Sequence, residues 1–102
     1  MWCLAERDLA PPENWIMYYV YALSNKQNQI LYIGYSQDLR KRFNEHNSGY
    51  VKATKGYRPW KLVYYEAYES KLDATKRELQ IKKNHRVKED LKIQIMYSLK
   101  SI

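Results

Sequence analysis

The sequence predicts a small domain of α/β (α+β) class. Two observations carry that reading: three separate runs of β-forming residues, and helix-start signals placed directly after the second and third of them. A third is the length, since 102 residues allow one modest core and little more.

Residues 1–16, MWCLAERDLAPPENWI, contain Pro11-Pro12 and no apolar periodicity, and are expected to form a loosely ordered extension ahead of a single domain over 17–102. Met17–Leu23 (MYYVYAL) is rich in β-formers and reads as a strand. A polar turn, Ser24–Gln29, leads to a second strand, Ile30–Gly34 (ILYIG), so the two predict a β-hairpin. Ser36 is then the expected N-cap of a helix. Asp38 complements the helix dipole in its first turn, and Leu39 and Phe43 form an apolar i, i+4 pair. That helix should end near Asn47–Gly49. After a basic loop, Trp60–Glu69 (WKLVYYEAYE) reads as the third strand. Ser70 and Asp73 make a capping pattern that opens a second helix over Lys71–Asn84. Val87, Leu91, Ile95 and Leu99, four residues apart, predict a third helix over 87–99 whose apolar stripe closes the core.

Composition narrows the function classes. Eighteen Lys and Arg against eleven Asp and Glu give a net charge of +7, which favours a polyanionic partner, nucleic acid ahead of an anionic membrane surface. The single cysteine, Cys3, excludes an internal disulfide framework and a Cys-based zinc site. It fits a reducing compartment, and the cytoplasm is the expected location. Glu6, Arg7 and Asp8 interrupt the N-terminus before an apolar run reaches signal-peptide length. No stretch approaches the roughly 20 apolar residues of a membrane span, so no membrane partner is expected. Nothing in the sequence points to a protein partner.

Several residues draw attention as chemistry. Strand alternation places Tyr19, Tyr21 and Leu23 on one face of the first strand, and Tyr32 with Gly34 on one face of the second. Hairpin pairing is expected to bring Tyr21 and Tyr32 side by side. On the helix that follows, Asp38, Arg42 and His46 line up at i, i+4 and i+8 beside the apolar pair. Glu78 shares a face of the second helix with Ala74 and Ile81, which turns its carboxylate toward the protein body. A buried acid needs a partner. Either Arg42 or a hard divalent cation fits that role, since Mg²⁺ is often held by one or two carboxylates plus phosphate and water.

These residues also carry a resemblance. YVY (Tyr19–Tyr21) and YIG (Tyr32–Gly34), joined by a short polar turn and followed by QDLRKRFNEH and KRE, resemble the GIY-YIG nuclease family. The chain is most similar to the small stand-alone bacterial single-domain members, whose domain is like the N-terminal domain of excinuclease C. The resemblance covers roughly Tyr18–Lys83. It implies a three-stranded antiparallel sheet flanked by helices and an endonuclease that hydrolyses phosphodiester bonds, with structure-selective cutting of DNA in repair or recombination as the expected setting. Residue by residue it implies that Tyr21, Tyr32, Arg42 and His46 are catalytic and that Glu78 holds one metal ion, Mg²⁺ or Mn²⁺. It implies that Gly34 is the closing glycine, where a backbone, a helix or a phosphate approaches the strand end. The asparagine that larger members carry beyond the metal glutamate has no match at the right spacing; Asn84 is the nearest. The alternative is a nucleic-acid-binding module of the same fold that cuts slowly or not at all.

The chemistry of each role follows from general principles. Hydrolysis needs an oriented water, a base for its proton, and relief of charge on the phosphoryl and leaving oxygens. A tyrosine of pKa about 10 is a weak base at neutral pH, so Tyr21 must be shifted or must pass its proton on, with His46 as an acceptor. His46 fits a helix-terminal surface histidine equally well. Arg42 and Glu78 also fit a structural ion pair. In the loop, Arg40, Lys41, Lys52, Lys55 and Arg58, interleaved with Tyr50 and Tyr57, suit contacts to a nucleic-acid strand.

Overall fold

The computed structural model describes residues 16–25, 27 and 29–100. The expected N-terminal extension, with Cys3, lies outside the described residues apart from Ile16. Among the described residues the chain forms strands β1 (Tyr18–Asn25), β2 (Ile30–Ser36) and β3 (Lys61–Tyr68), and helices α1 (Leu39–Ser48), α2 (Lys71–Lys83), α3 (His85–Gln94) and α4 (Met96–Lys100). A 3-10 turn covers Lys55–Tyr57. The sheet has the order β2-β1-β3 and is antiparallel throughout. This is the expected three-stranded antiparallel sheet with flanking helices. No helix among the described residues is long and apolar enough to cross a membrane.

Alternation along β1 divides the core into two layers. Val20 and Ala22, with Ile33 of β2, pack against Ala74 and Ile81 of α2 and Leu91 of α3. Tyr21 and Leu23 face the other way, onto Trp60 and the Leu39/Phe43 pair of α1. The sheet is thus covered by α1 on one side and by α2 and α3 on the other.

Three local expectations change. Asp38, not Ser36, caps α1: its Oδ1 accepts from the Lys41 N–H at 3.1 Å. Ser36 ends β2 and accepts from the Asp38 N–H at 3.0 Å, so the strand hands over to the helix through a local turn. The expected third helix is two helices, separated at Ile95 (φ −108°, ψ 24°). Its apolar stripe survives the break, with Leu91 and Ile95 buried and Val87 and Leu99 packed on the same core. Finally, Trp60 precedes β3 and plugs the α1 side of the core.

The Ser70 cap of α2 is as expected, its Oγ accepting from the Asp73 N–H. A polar clamp fixes the same helix to the sheet. Arg77 donates from Nε and Nη2 to the Glu66 carboxylate of β3, each at 2.9 Å. Glu66 also accepts from the Tyr64 hydroxyl at 2.6 Å and from that of Tyr68. Burial alone would raise the Glu66 carboxyl; the guanidinium and the two hydroxyls outweigh it and hold it below the usual range.

Candidate active site

The site starts from the register of the hairpin. Tyr21 lies opposite Gly34, and Tyr32 opposite Leu23. The two tyrosines, expected side by side, are diagonal neighbours on one face of the hairpin. Gly34 makes room for this arrangement. A Cβ there would stand 2.3 Å from the Tyr21 hydroxyl oxygen and 2.4 Å from the ring carbon bearing it. The absent side chain lets the Tyr21 ring fold flat across β2. What approaches the strand end is thus a neighbouring side chain, and the space foreseen for a backbone or phosphate at Gly34 is occupied.

His46 is brought to this ring by α1. The helix ends at Gly49, whose φ of +85° is in the left-handed region and whose N–H caps the Glu45 and His46 carbonyls. Leu39 and Phe43 anchor the helix on the core, which turns His46 inward until it is 0% exposed. The Tyr21 hydroxyl, in a residue only 1% exposed, meets His46 Nε2 at 2.7 Å. His46 Nδ1 meets Thr54 Oγ1 at 2.7 Å, and the Thr54 hydroxyl reaches the Val51 carbonyl at 3.4 Å. These partners assign the imidazole tautomer. Thr54 donates to Val51, accepts from Nδ1–H, and leaves the Nε2 lone pair to accept from Tyr21. Tyr32 closes the cluster, its ring 5.1 Å from that of His46.

Burial separates the two titrating groups. It pushes the Tyr21 phenol up to about 12, against the pull of the Arg42 guanidinium beside it. It pushes the His46 imidazole down to about 4, with Arg42 acting in the same direction. Both are neutral at pH 7.

Arg42 and Glu78 do not pair with each other. Arg42 Nη1 donates to Glu45 at 3.1 Å, and Glu78 is held by Lys82 at 2.9 Å. Both charges nonetheless act on Tyr21, the guanidinium lowering it and the carboxylate raising it. Lys82 also stands over the Tyr32 ring, 5.8 Å from its centre. Cation and carboxylate thus sit at the rim, beside the β2 edge, while Tyr21, Tyr32, Arg42 and His46 converge. Asn84 is spent elsewhere: its Oδ1 caps α3, accepting from Arg86 and Val87 N–H groups at 3.0 and 3.2 Å.

The basic residues surround this cluster unevenly. Arg40 and Lys41 are exposed on the outer face of α1, beside Tyr50, itself 83% exposed. Lys41 also borders a recess of about 340 Å³ that Arg42 and Tyr35 line. Lys52 and Lys55 are exposed in the loop. Arg58 has a local task, donating from Nε to the Lys55 carbonyl at 2.9 Å and lying against Gly49, where a Cβ would come within 2.8 Å of its Nη1.

Sequence reading missed Thr54 and the scaffold behind it. Trp60 Nε1 donates to the Thr54 carbonyl at 3.0 Å, and Asn47 brackets Trp60 by accepting from its N–H at 2.7 Å and donating to its carbonyl at 3.0 Å. Asn25 reaches over to the Tyr57 carbonyl. These contacts follow neither strand nor helix spacing, so no sequence pattern announces them.

Residues 17–90 match the model of the GIY-YIG catalytic domain, a stretch that contains every residue of the cluster. A UPF0213 protein of Clostridium perfringens is 47% identical over 68 residues, 66% of this chain and 72% of that protein. One of Staphylococcus saprophyticus is 44% identical over 66 residues, 64% of this chain and 79% of that protein. The solution NMR structure of a UPF0213 protein from Bacillus halodurans matches with a TM-score of 0.48 at 36% identity, over 74% of this chain and 82% of that one. With strand order, tyrosine pair and helix histidine already in place, the match along the domain settles the family: the chain belongs to the GIY-YIG nucleases.

Proposed function

We propose that the protein is a metal-dependent endonuclease that hydrolyses phosphodiester bonds in DNA, with branched or flapped DNA of repair or recombination as its setting. The observation that supports this best is the buried Tyr21–His46–Thr54 chain of hydrogen bonds beside Arg42. Arg42 binds the phosphoryl oxygens through its fixed charge. A water attacks phosphorus and gives its proton to the Tyr21 oxygen, while the Tyr21 hydroxyl proton passes to His46 Nε2; the bond from phosphorus to the leaving oxygen breaks, and that oxygen takes a proton from solvent. Thr54 holds the imidazole in the accepting tautomer.

Burial holds Tyr21 protonated and the His46 imidazole neutral at rest. The transfer is therefore written as concerted, with no free tyrosinate formed.

Glu78 would hold the metal. Among the described residues no cluster of three His, Cys, Asp or Glu exists. One carboxylate suits a single Mg²⁺ or Mn²⁺ completed by substrate oxygens and water, and not a closed zinc site. Bound there, such an ion would supply relief of charge on the leaving oxygen. Lys82 competes for the same carboxylate.

That competition, and the use of Asn84 as a helix cap, favour one second reading: a nucleic-acid-binding module of the same fold with little or no cutting. Purified protein with supercoiled plasmid in Mg²⁺, Mn²⁺ or EDTA, beside Glu78→Ala, separates the two. Metal-dependent nicking lost in Glu78→Ala, with DNA affinity kept, is the expected result. Bound but uncut DNA under all conditions means the binding module.

A further inference from the structure

Most tyrosines of the sheet have a place. Tyr18, Tyr35, Tyr64 and Tyr68 pack on the core beneath α2 and α3, and Tyr21 and Tyr32 belong to the layer beneath α1. Tyr19 and Tyr65 belong to neither. They lie on the same face as Tyr21, Tyr65 directly across from it on β3 and Tyr19 two residues earlier on β1. The Tyr21 ring leans over Gly34, toward β2, away from Tyr65 on β3. There the rings of Tyr19 and Tyr65 meet edge to face, 5.8 Å apart at 71°, with Tyr65 54% exposed. Ala67, opposite Tyr19, is exposed as well.

We propose that Tyr19 and Tyr65 form a subsite that stacks an unpaired base of a DNA strand and so delivers the adjoining phosphate to Tyr21 and Arg42. The proposal rests on the nuclease reading above and deepens it to a substrate class. Two aromatic rings fixed against each other form a rigid ledge and lose little entropy when a base lands on them. The occupant is nucleic acid because Tyr65 lies directly across from Tyr21, the residue on which the Arg42 guanidinium acts, on a chain of charge +7. It is an unpaired base because bases inside a duplex already have both faces covered by their neighbours. Only a single strand, a flap or a gap offers a free face to a protein ring. Tyr65 fixes and faces the base, and Tyr19 buttresses it.

Binding in EDTA isolates this from cleavage. The probes are a fluorescein-labelled single-stranded oligonucleotide, one copy carrying 2-aminopurine, and the matching duplex. Tyr65→Ala, at an exposed position, is expected to weaken single-strand binding roughly 5- to 150-fold and to abolish 2-aminopurine quenching. Duplex binding should be unchanged, and Tyr65→Phe should behave as wild type. Equal single-strand affinity in wild type and Tyr65→Ala, or equal losses on both probes, overturns the ledge while leaving the nuclease reading intact. Failure of the wild type to bind either probe overturns both.

Discussion

Lowering the pH should unfold this protein through His46, and the size of the effect can be worked out. The imidazole is fully enclosed, with Nδ1 donating to Thr54 and Nε2 accepting from Tyr21. Burial, with Arg42 acting in the same direction, holds the group down to about 4 in the folded chain. The unfolded chain restores a value near 6.5. Between those limits the unfolded state binds a proton that the folded state refuses, so stability is complete above about pH 6.5 and is lost as pH falls through 4. The full span is worth roughly 3 kcal/mol, about 2 of it gone by pH 5. That is a large share of the 5–15 kcal/mol of a typical domain. Urea denaturation of wild type and His46→Gln at pH 8, 6.5, 5.5 and 5 measures it. The variant is less stable at pH 8, since it disrupts the hydrogen-bond chain, but lacks the linked loss. The gap between the two should narrow by about 2 kcal/mol from pH 8 to pH 5. Glu66, whose carboxyl is held low by Arg77, contributes acid lability equally to both and cancels. A gap that stays constant over this range would mean that His46 titrates normally and is not the enclosed neutral base described above.

Two substitutions probe the rest of the cluster. Gly34→Ala puts a methyl 2.3 Å from the Tyr21 hydroxyl, so the ring must leave His46; a loss of about 1–3 kcal/mol of stability, read as a lower urea midpoint, and of cleavage together is expected, and an unchanged midpoint would show that the ring has room. Thr54→Val keeps shape but removes the acceptor for His46 Nδ1–H, at about 1–3 kcal/mol and with slower cleavage. Thr54→Ser should restore both, and ¹⁵N shifts of His46 that are the same in Val and wild type would remove Thr54 from the tautomer assignment.

How much of this was legible in the sequence depends on whether a feature is periodic. The strands and the helix signals are, and so Tyr21, Tyr32, Arg42 and His46 could be assigned to elements that do converge. Register is not periodic. Alternation put Tyr21 and Tyr32 on the same side of the sheet, but which residue faces which depends on where the turn closes. Here β1 continues to Asn25 and Gln29 takes a left-handed φ of 55°, which sets Tyr21 against Gly34. The break at Ile95 was equally silent, with no glycine or proline to announce it, because the apolar stripe keeps its spacing across the kink.

Thr54 shows the limit most clearly. It lies in a loop with neither periodicity nor motif, and is 0% exposed only because Trp60 and Asn47 fold that loop back over α1. The sequence treated 50–60 as a basic surface, and Lys52, Lys55 and Arg58 are indeed exposed. The same segment also carries, facing inward, the hydroxyl that chooses which nitrogen of His46 can accept a proton. One stretch of chain therefore presents charge outward and sets a proton position inward. A loop graft that preserves every basic residue but replaces Thr54 would keep the first property and lose the second.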